Sequence, residues 1–295
     1  MDQDTGSTID ADTLIWIKGI DIDSSETEIQ AIHLRLLTRH SKVLQEMFGI
    51  PQGPGHDGSS RGNPLTVHIP WKELANTIAW MFQEWDKAEL RATPSVLEEK
   101  YTMLLATSRF LMMDRAAHEA ITELGGLKLP ATRRLQLAQQ FTVDEWIRPS
   151  IQSLVLWRSL GSLSSTEIDQ LGIGLFVIIA GAKEALQKYR AGIAYQPMDL
   201  TEAGEANADL PTCSTHDQCK AAWPAWWWRN VARKIIYPDN PIDLEDVVEI
   251  VKAGTIKGMS NGCKEAVMEK LAQVEWNKPV INQAVLKATT FIHSC

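Results

Sequence analysis

IQAIHLRLLTRHSKVLQEMFGIP, residues 29 to 51, is the stretch whose reading decides the fold. Ile29 and Ile32 belong to a short extended run that ends at His33, and beyond it the apolar period changes. Leu34, Leu37, Leu44, Met47 and Phe48 recur at helical spacing, and Ser41 stands where its hydroxyl can cap a second short helix. The stretch therefore predicts a strand that turns through His33 into two very short helices.

Upstream, TLIWIKGID (Thr13 to Asp21) alternates as a strand does, and SSETEIQAIH can pair with it across a polar turn to make a hairpin. Downstream, residues 49 to 64 are rich in Gly, Pro, Ser and Asp and predict a flexible loop. LTVHIP, Leu65 to Pro70, alternates again, with Leu65, Val67 and Ile69 on one face and Thr66 and His68 on the other. WKELANTIAWMFQEW then puts Leu74, Ile78, Met81 or Phe82, and Trp85 on one helical stripe. Pro94 separates it from a helix over Val96 to Met113, which carries Leu97, Tyr101, Leu104, Leu105 and Leu111, and DRAAHEAITEL follows as a further short helix.

The order strand, strand, helices, strand, helix, helix, helix resembles that of a BTB/POZ domain, over roughly residues 9 to 124. The resemblance rests on Ile29, Ile32, His33, Leu37, Ser41, Val43, Leu44, Met47 and Phe48. The loop inserted after the second short helix, with a proline-bounded strand behind it, is similar to the fungal, basidiomycete-like branch of that family. The resemblance implies an α+β fold: an N-terminal BTB/POZ domain over 9–125, a small sheet capped by helices, then a mainly α-helical C-terminal extension. It further implies a non-enzymatic protein-interaction module that forms a two-fold homodimer through its first strand and helices, so that the interface is self-complementary. Leu14, Trp16, Ile32, Leu34, Leu37 and Leu44 are the interface residues so implied, with part of the set reserved for the core. Adaptor work is implied too, with a cullin scaffold of a ubiquitin ligase as one candidate partner beside an unidentified protein. Cullin-binding relatives place a large apolar residue two positions before an acid, and this chain departs from that pattern with Lys87 two before Glu89. His33, at the junction of strand and helix, is expected to be structural.

With 295 residues, 44% hydrophobic and 22% charged, the chain can bury one large core or two modest ones. Its net charge of −8 is concentrated at the front, where residues 1 to 28 hold eight acids against Lys18 alone. An acidic arm on a nearly neutral body supplies no basic stripe for phosphates, so nucleic acid is not an expected partner. No basic-then-apolar leader is read at the N-terminus. The longest apolar stretch, Ile173 to Ala182, falls short of the roughly 18 residues of a membrane span and predicts a buried helix, with no membrane partner. Scattered cysteines do not form a secreted disulfide framework, so a cytoplasmic or nuclear location is expected.

The remaining organisation follows from composition and helix signals. Residues 1–8 read as an acidic tail, 126–190 as a helical extension broken at Pro149, 191–212 as a small, acidic linker, and 213–295 as a helical region rich in Trp and Cys. The extension, with Leu137, Ala138, Val143, Trp146, Pro149 and Leu154 in order, resembles the one that follows fungal BTB domains. Ser164 and Glu167 have capping-box spacing, and helices are expected over Asp243 to Lys252 and Met259 to about Val274.

Two constellations stand out in the last region. CSTHDQC sets Cys213, His216 and Cys219 at intervals of three, with Cys263 far downstream as a fourth donor. These four could hold a structural zinc, which wants four such ligands in a tetrahedron; the alternative is buried thiols with a capping histidine, and no other cofactor is expected. A second functional alternative follows, in which the C-terminal region binds zinc or a ligand and the BTB part pairs two copies. Trp223, Trp226 and Trp227 share a helical face and are expected to dock a helix on a core rather than stack a ligand. Neither an H-E-x-x-H nor a G-x-x-x-x-G-K-[ST] occurs, and no catalytic residue set is assigned.

Overall fold

β1 (Leu14–Ile20) is the middle strand of a three-stranded mixed sheet. It pairs antiparallel with β2 (Ile29–His33), Leu14 opposite His33 and Trp16 opposite Ala31, and parallel with β3 (Leu65–Pro70), Ile17 beside Leu65. The structure is a computed structural model that describes residues 13–20, 28–50, 55–156, 159–198, 213, 216–237, 242–243, 246–274 and 276–294. The acidic tail, most of the linker, Trp157 and Cys295 lie outside the described residues. The chain is α+β, mostly helical, with one sheet among the described residues.

The period of two in a strand sends alternate side chains to opposite faces. Ile15 and Ile17, with Ile32, Leu65, Val67 and Ile69, are buried on the inner face, and Leu14 and Trp16 lie on the other. Gly19 is on the buried side because nothing larger fits: a Cβ there would lie 2.7 Å from the Ile69 carbonyl oxygen and 2.8 Å from the Trp71 Cα. Residues 55–64 are more ordered than a composition of Gly, Ser and Asp suggests. Asn63 Nδ2 donates to the Gly55 carbonyl at 2.9 Å, and Gly58, at φ 87°, accepts from the Trp16 amide at 2.9 Å, so the loop is tied to β1.

α1 (Leu34–His40) and α2 (Lys42–Gly49) meet at Ser41. Its buried hydroxyl accepts from the Leu44 amide at 3.1 Å, as the capping pattern predicts, and donates to the Leu111 carbonyl at 2.7 Å. The second bond ties the cap to a turn seventy residues away in sequence. Ser41→Ala leaves a helix-end amide and a carbonyl unpaired in a dry site, and is expected to cost about 1–3 kcal/mol in chemical denaturation.

α3 (Trp71–Met81), α4 (Lys87–Ala92), α5 (Pro94–Phe110) and α6 (Asp114–Gly126) complete the N-terminal unit. α3 is shorter than its apolar stripe. It stops at Met81, Phe82 is 43% exposed, and Gln83 takes a left-handed φ of 58° that ends the helix and returns Trp85 to the core. Trp85 then meets Tyr101 edge to face at 5.1 Å. Burial pushes the Tyr101 phenol up to about 12, helped by the carboxylates of Glu123 and Glu119.

The chain divides into two compact units, 1–130 and 131–295. The second begins with α7 (Ala131–Phe141), α8 (Ile147–Leu156) and α9 (Ser165–Tyr195). The break between α7 and α8 lies at Thr142, φ 53°, rather than at Pro149. Pro149 sits in the first turn of α8, where a missing N–H costs nothing. α9 opens on the expected capping box, Ser164 Oγ accepting from the Glu167 amide at 3.3 Å and Glu167 accepting from the Ser164 amide at 2.9 Å.

α9 corrects the expectation of a buried apolar helix. Leu171, Leu175, Ile179 and Leu186 are buried against α7, α8 and α13 (Lys278–Ser294), but Ile173 is 80% exposed and Val177 60%. By length and composition it is also the one helix among the described residues that could cross a membrane, with a mean hydropathy of 1.3 over its apolar window and 22% of that window buried. Gly172, φ 67°, interrupts its helical geometry, and Gly174 allows the Phe291 ring of α13 to lie against its backbone. The helix runs on to Tyr195, five residues into the segment expected to be linker.

α10 (His216–Trp227), continued by a π-helical turn over Trp228–Ala232, then α11 (Asp246–Ala253) and α12 (Asn261–Gln273), surround an indole-rich core. α13, which the sequence did not lead us to expect, closes the bundle against α8 and α9.

Candidate metal centre and interaction surface

Cys213 precedes α10, His216 is its first residue and Cys219 follows one turn on, so one helix face presents two of the donors. Cys263 lies in the first turn of α12, which is capped by Ser260. The two segments converge. The donor atoms of Cys213, His216 and Cys263 all lie within 4.8 Å of one another. Cys219 Sγ is 3.7 Å from Cys213 Sγ, and Cys263 Sγ is 3.5 Å from His216 Nδ1. None of the three cysteines is in a disulfide.

Ser260, which the sequence did not mark for us, is the hub of the cluster. Its hydroxyl accepts from the Cys263 amide at 3.3 Å and from the Cys213 thiol at 3.3 Å, and its own amide donates to Cys219 Sγ at 3.3 Å. The available signal was its place three residues before Cys263, the spacing of an N-cap. Cys219 is fully buried and Cys263 nearly so, while Cys213 and His216 are half-buried. In the protonated cluster, burial pushes the Cys263 thiol up to about 11, opposed by the hydrogen bond with Ser260.

Behind the cluster, Trp223 and Trp227 are almost completely buried. The Trp227 indole N–H donates to the Ala194 carbonyl at 3.1 Å, in the last turn of α9, where helix carbonyls lack partners of their own, and that of Trp223 donates to the Met198 carbonyl at 3.0 Å, just beyond the helix. Trp226 stacks on Trp223 at 5.9 Å and lies against Gly254, where a Cβ would sit 2.2 Å from its ring. The expected docking face is thus the one the structure uses. Trp228, on the other side, is 38% exposed and stacks on Tyr195.

In the N-terminal unit the six interface candidates separate. Ile32, Leu34, Leu37 and Leu44 are exposed by only 1 to 4% and belong to the chain's own core. They make up the part of the set reserved for the core, since a side chain already out of water gains nothing from a second burial. Leu14, 45% exposed, and Trp16, half-buried, remain on the open face of the sheet. His33 is exposed on that face, opposite Leu14, and its side chain makes no capping bond to α1. Lys87 and Glu89, which bear on cullin binding, lie outside the residues whose side chains are described.

No protein-family profile, curated protein or solved structure matches this chain.

Proposed function

We propose that the chain is a non-enzymatic protein-interaction module of the BTB/POZ type, which pairs with a second copy of itself through the open face of its sheet and presents its helical C-terminal half to another protein. What carries the proposal is strand order. A hairpin of β1 and β2, two short helices and then β3 is the order on which the family resemblance rests, and β3 lies parallel to β1 on the side away from β2. The face that β1 leaves uncovered is apolar at Leu14 and Trp16, beside Ala31, and a two-fold pairing of that face would be self-complementary.

Light scattering on the purified full chain is expected to give a dimer. Leu14→Glu combined with Trp16→Ala is expected to shift it to a monomer with an unchanged far-UV circular dichroism spectrum, because neither change enters the buried face. A well-folded monomer for the unmutated chain at high protein concentration would overturn the pairing. Titration with a purified cullin addresses the scaffold separately, and saturable binding would make this an adaptor of a ubiquitin ligase.

A further inference from the structure

The geometry points to a structural zinc site formed by Cys213, His216, Cys219 and Cys263, which clamps the start of α10 to the start of α12. It is independent of the self-pairing proposed above, because all four donors lie in the second unit.

Two of the donor separations are those of a tetrahedral ion, and the donor atoms of Cys213, His216 and Cys263 lie within 4.8 Å of one another; Cys219 Sγ, 3.7 Å from Cys213 Sγ, stands outside that group of three and must close on it to serve as the fourth ligand. With Zn–S near 2.3 Å and Zn–N near 2.0–2.1 Å, a tetrahedron places two thiolate sulfurs about 3.8 Å apart and a sulfur and an imidazole nitrogen about 3.6 Å apart. The cluster has 3.7 Å for Cys213 Sγ to Cys219 Sγ and 3.5 Å for Cys263 Sγ to His216 Nδ1. These are two edges that share no atom, so between them they use all four donors. A disulfide between Cys213 and Cys219 would instead need their sulfurs at about 2.05 Å.

The surroundings suit thiolates. Cys263 sits in the first turn of α12, where the unpaired amides favour negative charge, and Cys219 lies one turn into α10. Ser260 supplies a backbone N–H to Cys219 Sγ, and its hydroxyl, 3.3 Å from Cys213 Sγ, can turn to donate. Such outer bonds orient metal ligands and spread their charge. Three sulfurs and one imidazole nitrogen favour zinc over the oxygen-seeking magnesium and calcium. A fully ligated site with no open position holds structure and does not activate water.

The site also explains an arrangement that packing alone does not require. The segment from Cys213 to Cys219 and the turn at Ser260 are far apart in sequence, and they bring Cys219 and Cys263 together inside the apolar indole core, with Cys213 packed against it. A metal joins them with directional bonds where hydrophobic contact has no direction.

The test uses the full chain, freed of any affinity tag, expressed with zinc and dialysed against metal-free buffer. About one zinc per chain is expected by elemental analysis. Replacement by Co(II) is expected to give the intense visible absorption of a tetrahedral site together with thiolate-to-metal charge transfer. Cys219→Ser and Cys263→Ser are expected to lose most of the bound zinc, whereas His216→Cys, which keeps four good donors, is expected to retain it. Folded wild-type chain that holds less than about half an equivalent of zinc and shows no thiolate–cobalt bands would overturn the proposal. So would a Cys263→Ser variant that binds as much zinc as the wild type, or mass spectrometry after alkylation that finds Cys213 and Cys219 oxidised to each other in metal-free, folded protein. Should the serine variants fail to fold, the wild-type cobalt spectrum decides by itself, since thiolate charge transfer is either present or absent.

Discussion

Leu37→Asp is expected to unfold the N-terminal unit instead of yielding a folded monomer. Leu37 is 1% exposed and lies with Ile32, Leu34 and Leu44 in the chain's own core. Removing a leucine from such a position costs about 2–5 kcal/mol through lost burial and the cavity left behind. A carboxylate at the same place must also be desolvated or take up a proton. Against a typical domain stability of about 5–15 kcal/mol, the sum removes most or all of the folded population. Loss of the N-terminal unit's share of the far-UV signal, or a large fall in the midpoint of its denaturation, is the expected outcome. A soluble, folded, monomeric Leu37→Asp chain would show instead that this side chain faces a partner. The contrast with the Leu14→Glu, Trp16→Ala pair separates stability from association.

Trp227→Ala has the next largest expected effect, on the second unit. The indole is 1% exposed, packs at 5.3 Å from Trp223, and donates its N–H to the Ala194 carbonyl. Truncation to alanine is expected to cost about 3–5 kcal/mol. Trp227→Phe keeps most of the apolar volume and loses the hydrogen bond, so it isolates the cost of a helix-end carbonyl left without a partner, about 1–3 kcal/mol. Chemical denaturation followed by circular dichroism measures both. Equal losses for Phe and Ala would mean that the hydrogen bond, not the volume, holds α10 to the end of α9. Two units need not unfold together, so the two transitions are to be fitted separately.

What could be read from the sequence was local. The strand alternation, the Ser41 cap and the Ser164–Glu167 capping box depend on spacings of two to four residues, and each is present in the structure. The destination of an apolar side chain is not local: Leu37 and Leu14 are both leucines near a strand–helix junction, and only tertiary packing makes one core and the other surface. The end of α3 had no glycine or proline to announce it, because Gln83 adopts the left-handed conformation itself. The start of α13 did carry a signal, Pro279 in the first turn, which its Asn277 and Trp276 surroundings hid. For the sulfur cluster, the interval of three from Cys213 to Cys219 placed those residues together. The approach of Cys263 and the part played by Ser260 depend on how α12 packs, which no spacing records.

The central place of β1 in its sheet also sets an order of events during synthesis. Its antiparallel partner β2 follows close behind, so the hairpin closes at little entropic cost. Its parallel partner β3 comes only after α1, α2 and a long loop have emerged. Until then one edge of β1 exposes unpaired amides and carbonyls flanked by Ile15 and Ile17, a template for another chain's strand. Non-local pairing of this kind slows folding and lengthens that exposure. The tie from Gly58 to the Trp16 amide covers part of that edge a few residues before β3 does, so the glycine-rich loop guards the nascent strand as well as linking two elements.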